Sequence, residues 1–133
     1  MTGISTPDVE VVRRAYAALA AGDMEELEQC FARDAVWHEP GSNIYSGVRV
    51  GWPEIRDEFL ALLGPLSHGT LRTELVDIAA SEKYVVAVHR ATGEHNGLTL
   101  DWTSYDVVLV ARGRIQEVWA THAKQSEVDA FWT

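Results

Sequence analysis

The chain has 133 residues, 47% hydrophobic and 23% charged, which fits one globular domain over residues 1–133 with a core of its own. A formal net charge of −9 argues against nucleic acid or an anionic membrane surface as partner, and no stretch approaches the ~20 consecutive apolar residues of a membrane span. The start of the chain lacks the basic and apolar regions of a signal peptide. Cys30 is the only cysteine, so no internal disulfide is expected and a reducing cytoplasm is the expected location.

The first third reads as helix. Thr6-Pro7-Asp8 is a start signal, Val12, Ala15, Tyr16 and Leu19 recur at helical spacing, and Gly22 ends the run. Asp23-Met24-Glu25-Glu26 restarts the chain as a second helix with Leu27, Cys30 and Phe31 on its buried side. Ala35 to Glu39 reads as a short strand stopped by Pro40-Gly41. Residues 41–51, with three glycines and little apolar periodicity, read as a loop. Pro53 opens a third helix carrying Ile55, Phe59, Leu62, Leu63 and Leu66, terminated or loosened by Gly64-Pro65.

The remainder is strand-rich: Thr70 to Ala80, Lys83 to His95, Leu98 to Ala111 and Arg114 to Lys124. Asn96-Gly97 is a strong two-residue hairpin signal and Arg112-Gly113 a weaker one. A helical turn over Ser126 to Trp132 closes the chain. Helices around one strand, then an antiparallel meander, describe an α+β fold with helices on one face of a curved sheet. Val85-Val86-Ala87-Val88 and Val107-Val108-Leu109-Val110 are apolar at both parities, so both sheet faces should be covered, the second by another copy in a homodimer.

Two acids stand out against this background. Glu39 and Asp106 lie at the inner ends of predicted strands, and an acid in an apolar strand is rarely buried without a partner. Carboxylates facing one apolar cavity can act as acid, base or hydrogen-bond donor. The bland alternative for Asp106 is a carboxylate satisfied by Arg90, Ser104 or a backbone amide; for Glu39 it is a rim salt bridge. His38 and Glu39 are neighbours, so alternation sends them to opposite faces, and either can be the inward one. His89 shares parity with Val85, Ala87 and Ala91, and is either a proton shuttle or a buried histidine bonded to a neighbour. His122 falls at a cavity mouth or on the surface. Trp37, Trp102 and Trp119 are core residues or cavity walls, with Trp102 in the parity of Asp106, and Trp52 lies in the loop as a candidate lid. His68 and His95 receive no role. No phosphate loop, dinucleotide fingerprint or metal-ligand spacing is present, so neither cofactor nor metal is expected.

Ala21-Gly22-Asp23, the run Phe31-Ala32-Arg33-Asp34-Ala35-Val36-Trp37-His38-Glu39-Pro40-Gly41, then Ser46-Gly47 and Gly51, Gly113-Arg114-Ile115, Glu117, Trp119 and the closing Asp129-Ala130-Phe131-Trp132 together resemble the SnoaL-like branch of the nuclear-transport-factor-2-like superfamily. That resemblance implies a cone-shaped α+β barrel, a curved mixed or antiparallel sheet wrapped around three N-terminal helices, with a deep apolar pocket and dimerisation through the sheet. It implies an apolar small-molecule ligand or substrate bearing a carbonyl or phenol-like oxygen. By comparison with ketosteroid isomerase, Glu39 takes the place of the general base and Asp106 that of a neutral oxyanion donor. The tyrosine donor of the first helix falls on Ala15, with Tyr16 one residue away, about 100° around the helix. A His-x-Pro-Gly in SnoaL-like relatives points instead to His38. Catalytic roles are thus implied for Asp106, Glu39, His38 and His89, and ligand contacts for Trp37, Trp102, Trp119, Tyr16 and His122. Isomerisation, cyclisation or elimination without metal is one implied activity; a non-catalytic binding protein with the same pocket is the other.

Overall fold

A computed structural model describes residues 6–67 and 69–133. The leader reading of residues 1–5 and the reading of His68 lie outside the described residues. Helix α1 (Pro7–Ala21) begins where the Thr6 hydroxyl accepts from the Val9 amide and ends at Gly22, whose left-handed φ of 70° no side chain opposes. Asp23 caps α2 (Met24–Cys30) by accepting from the Glu26 amide. Strand β1 (Phe31–Glu39) follows at once, four residues earlier than the sequence suggests, so Phe31 is buried from a strand rather than from the helix.

The segment read as loop contains strand β2 (Gly47–Val50), antiparallel to β1 at the edge of the sheet. Val48 and Val50 face solvent there while Arg49 is the buried residue, so β2 inverts the apolar-in, polar-out alternation that marks a half-buried strand. The third helix is interrupted: α3 (Trp52–Ile55), a π-helical stretch (Arg56–Leu60) and α4 (Ala61–Leu66), which runs through Pro65 rather than stopping before it. Trp52 is fully buried at the start of α3 and is no lid residue.

Strands β3 (Arg72–Ala80), β4 (Tyr84–His95), β5 (Leu98–Ala111) and β6 (Arg114–His122) form the meander, and α5 (Gln125–Phe131) closes the chain. Asn96-Gly97 and Arg112-Gly113 adopt positive φ throughout, as two-residue hairpins that keep the strand twist require. The sheet order is β2-β1-β6-β5-β4-β3. All pairs are antiparallel except β1 with β6, so the sheet is mixed; it curves without closing into a barrel. Among the described residues no helix is long and apolar enough to cross a membrane.

Alternation on β5 orders the core. Leu100, Trp102, Ser104, Asp106, Val108 and Val110 are all buried on the concave face, against α1 and α5. Register places Ala87 and Ala120 beside Asp106, and His89 and His122 beside Ser104. On the other face Val86, Val107, Trp119, His38 and Val48 form one cross-strand row. His95, expected to have no role, is buried and clasps the β4–β5 hairpin to the end of α4, 2.6 Å from the Leu66 carbonyl oxygen.

The loop after β1 is fastened to α5 through Asp129. Its carboxylate accepts from the Ser42 amide, the Asn43 side chain and the Gln125 side chain. Gly41, at φ 88°, passes so close to Gln125 and Asp129 that a Cβ would collide with both. These donors, Asn43 foremost, hold the Asp129 carboxyl below its ordinary value. A carboxyl lowered on folding stabilises the native state above its unfolded pKa, and that contribution fades as pH falls through the lowered value. Asp129→Ala should therefore cost about 1 kcal/mol near neutrality. Denaturant titrations of the two proteins should converge as pH drops below about 4.

Candidate active site

Helix α1, the concave face of β4–β6, the end of β1 and the α3–α4 region enclose an apolar cavity of about 90 Å³. The stripe Val12, Ala15, Tyr16 and Leu19 forms its helical wall, so both Ala15 and Tyr16 face it. A surface groove between the ends of α1 and α4 and the start of β3 shares Leu19, Leu60, Leu63, Leu71 and Thr73 with the cavity.

Two polar clusters interrupt the apolar lining. In the first, the Tyr16 hydroxyl donates to Asp106 Oδ2, and His89 Nε2 lies 3.1 Å from the same oxygen, with the Tyr16 and His89 rings 5.1 Å apart. Asp106 is 2% exposed. Its partners are not those of the bland reading: Arg90 pairs with Asp101 on the far face, and Ser104 turns to His122. His89 meets Asp106 at ion-pair distance, and a neutral imidazole carries one N–H and one lone pair, so the ring can present an accepting nitrogen. His89 Nδ1 and Asp106 Oδ1 are both buried and have no hydrogen-bond partner in the protein.

The second cluster is saturated. Glu39 Oε1 accepts from Trp37 Nε1 at 2.9 Å, and Glu39 Oε2 lies 2.7 Å from His122 Nε2. His122 Nδ1 is 2.5 Å from Ser104 Oγ. His122 is thus a buried link between two strands, not a surface histidine. Trp37 and Glu39, two residues apart on β1, share the inner face.

Alternation then sends His38 outward, correcting its assignment to the pocket. Its ring stacks on Trp119 with centroids 5.5 Å apart, and its Nε2 is 2.6 Å from Glu117 Oε2. Trp119 is corrected for the same reason: parallel pairing with His38 places it on the convex face. The remaining candidates, Tyr16, Trp37, Glu39, His89, Trp102, Asp106 and His122, all line the cavity. Tyr45, absent from the sequence expectations, lines it too; it lies in the loop segment and no periodicity points to it. Among the described residues no three His, Cys, Asp or Glu side chains converge as a metal site; the four acidic and imidazole groups of the cavity pair two by two.

The SnoaL-like domain family matches residues 12–118. The chain belongs to the SnoaL-like family. With it comes membership of the nuclear-transport-factor-2-like superfamily, whose open curved sheet and helices it shares. The Mycobacterium tuberculosis protein Rv0034, described as uncharacterized, is 35% identical over 129 residues, covering 94% of this chain and 95% of its own. The structure of Bal32a, from a soil-derived mobile gene cassette, aligns with a TM-score of 0.91 at 30% identity, covering 96% of this chain and 97% of that one. IdmH of Streptomyces antibioticus, a proposed polyketide cyclase, aligns with a TM-score of 0.72 at 22% identity, covering 95% and 99% of the two chains. At that identity the likeness to IdmH concerns the fold.

Burial above all, then the nearby Asp106 and Glu39 charges, holds the Tyr16 phenol well above its ordinary value. Burial likewise pushes Tyr45 up to about 12. A phenol raised on folding adds stability below its unfolded pKa and loses it as pH climbs through the raised one. In an ultraviolet titration, Tyr16 and Tyr45 should add nothing to the early tyrosinate amplitude, up to about pH 10.5. Tyr16→Phe should leave that early amplitude unchanged while costing about 1 kcal/mol of stability through the lost bond to Asp106.

Proposed function

We propose that this protein is a cofactor-free acid–base enzyme acting on a mostly apolar small molecule with an enolisable carbonyl or phenol-like oxygen. One observation supports the reading above all: a buried carboxyl and its histidine, Asp106 and His89, each keep one unpartnered polar atom on an apolar cavity. Such groups are costly to bury unless something occupies them. His89 Nδ1 takes the α-proton, Asp106 acts as the acid and donates from Oδ1 to the oxygen on which negative charge develops, and the Tyr16 hydroxyl holds Asp106 by Oδ2. Glu39, fixed by Trp37 and His122, adds a second carboxyl whose oxygens are already engaged, so it positions and polarises rather than leads. Isomerisation, cyclisation and elimination all begin with this step, and the IdmH fold likeness supports the cyclase among them.

Exchange of the α-protons of 2-tetralone in deuterium oxide, followed by proton NMR, tests the step without the natural substrate. The wild type should catalyse exchange. Asp106→Asn and His89→Gln should each slow it by about 10²–10⁴-fold, the range for a lost acid–base group. His38→Gln, on the convex face, should not. Full exchange in both Asp106→Asn and His89→Gln would overturn the assignment. Binding of the ketone with no exchange by the wild type would favour a non-catalytic carrier with the same pocket.

The same reading includes a homodimer through the convex face and, with Cys30 a free thiol, a cytoplasmic location. Val48, Val50 and Tyr105 are exposed there, contiguous with Val86, Val107 and Trp119. Sedimentation should give a particle of twice 14.8 kDa. Val107→Arg, a charge in the middle of the row, should give folded monomers by the same measurement.

A further inference from the structure

Two further buried polar atoms in the cavity wall lack partners: Trp102 Nε1 and the Tyr45 hydroxyl. Both residues are nearly inaccessible, at 5% and 2% exposure. Neither atom belongs to the Asp106–His89 cluster. Trp102 stands four residues from Asp106 on the same face of β5, about 14 Å along the strand. Tyr45 and Trp102 pack against the aromatic pair that ends α5: Tyr45 meets Trp132 at 4.8 Å, Trp132 meets Phe131 at 4.7 Å, and Phe131 meets Trp102 at 5.7 Å. Both unpartnered groups therefore lie on the α5 side of the cavity, with Trp102 two residues along β5 from Ser104, the register partner of His89.

We infer that Tyr45 and Trp102 form a second polar pole that binds a second, acceptor oxygen of the ligand. An indole N–H can only donate, so the ligand must present an acceptor to Trp102; the Tyr45 hydroxyl, kept protonated by burial, can donate to the same group. The acceptor is neutral. The cavity is walled by two carboxyl groups and by no Lys or Arg among the described residues; Arg49, the nearby cation, donates behind the wall to the Tyr45 carbonyl oxygen. The ligand class is thus a flat or compact apolar body with oxygens at both ends: an enolisable carbonyl at Asp106 and His89, and an ether, ketone or phenol oxygen at Tyr45 and Trp102. A carboxylate or phosphate at that end is selected against. This assignment rests on the proton-transfer reading for its first end only.

Binding of three probes, 2-tetralone, its 6-methoxy derivative and its 6-carboxylate, measured by calorimetry, tests the pole. The methoxy ketone should bind about fivefold tighter than the parent, one net hydrogen bond's worth. Tyr45→Phe, which keeps its ring, and Trp102→Phe, which also trims the indole, should each cancel that gain, read as the ratio of methoxy to parent affinity within the same variant. The Trp102 indole N–H resonance should shift on adding the methoxy ketone and not the parent. The carboxylate should bind weakest. Equal affinities for methoxy ketone and parent, or a gain that survives both substitutions, would overturn the second pole; tighter binding of the carboxylate would overturn the neutral acceptor. Failure of α-proton exchange alongside Trp102- and Tyr45-dependent binding would remove the catalytic reading and leave the pole standing.

Discussion

Burial of Asp106 is the constraint on which this molecule turns. A carboxyl in the middle of an otherwise apolar strand face loses its hydration, and the loss is tolerable only if protein groups replace the water. Tyr16 from α1 and His89 from β4 do so, with the hydroxyl donating and the imidazole 3.1 Å away. The same contacts tie the first helix to the centre of the sheet. Because those partners engage one carboxyl oxygen, the other remains available, and the requirement of stability leaves an opening for chemistry.

The two carboxyl–histidine pairs differ in what they leave free. His122 is engaged at both ring nitrogens, by Glu39 and Ser104, and Glu39 at both oxygens. That network locks β1 to β6 and β5 and closes the cavity floor. His89 is engaged at one nitrogen only. Similar residues thus form a saturated brace on one side and a pair with unpartnered polar atoms on the other. The difference comes from neighbours, not from residue type.

The loop between β1 and β2 contributes to the α5 side of the cavity through an equally local device. Asp129 gathers three donors from both sides of the loop–α5 junction, and Gly41 leaves room for it. Tyr45, a residue of the cavity wall, is thereby held against Phe59 and Trp132. No repeat or periodicity announces such a residue. Its position depends on contacts more than eighty residues apart in the chain.

What the sequence determined by itself is what repeats along the chain. Period two on β4 and β5 put His89, Trp102 and Asp106 on one face, the 3.6 period on α1 put Tyr16 beside Val12, Ala15 and Leu19, and Asn96-Gly97 set the register between the long strands. The order of elements and the quoted motifs were enough for the family. Tertiary structure alone decided what depends on pairing partners. Alternation says that His38 and Glu39 diverge but not which one is buried; parallel pairing of β1 with β6, which sets His38 against Trp119, decides that. Edge strand β2 buries Arg49 and exposes its valines, the reverse of the pattern that marks a strand, and the reach of the Tyr16 hydroxyl to Asp106 depends on where a helix sits over a sheet. Periodicity records the face a side chain takes, whereas the partner it finds there is fixed by chain segments distant in sequence.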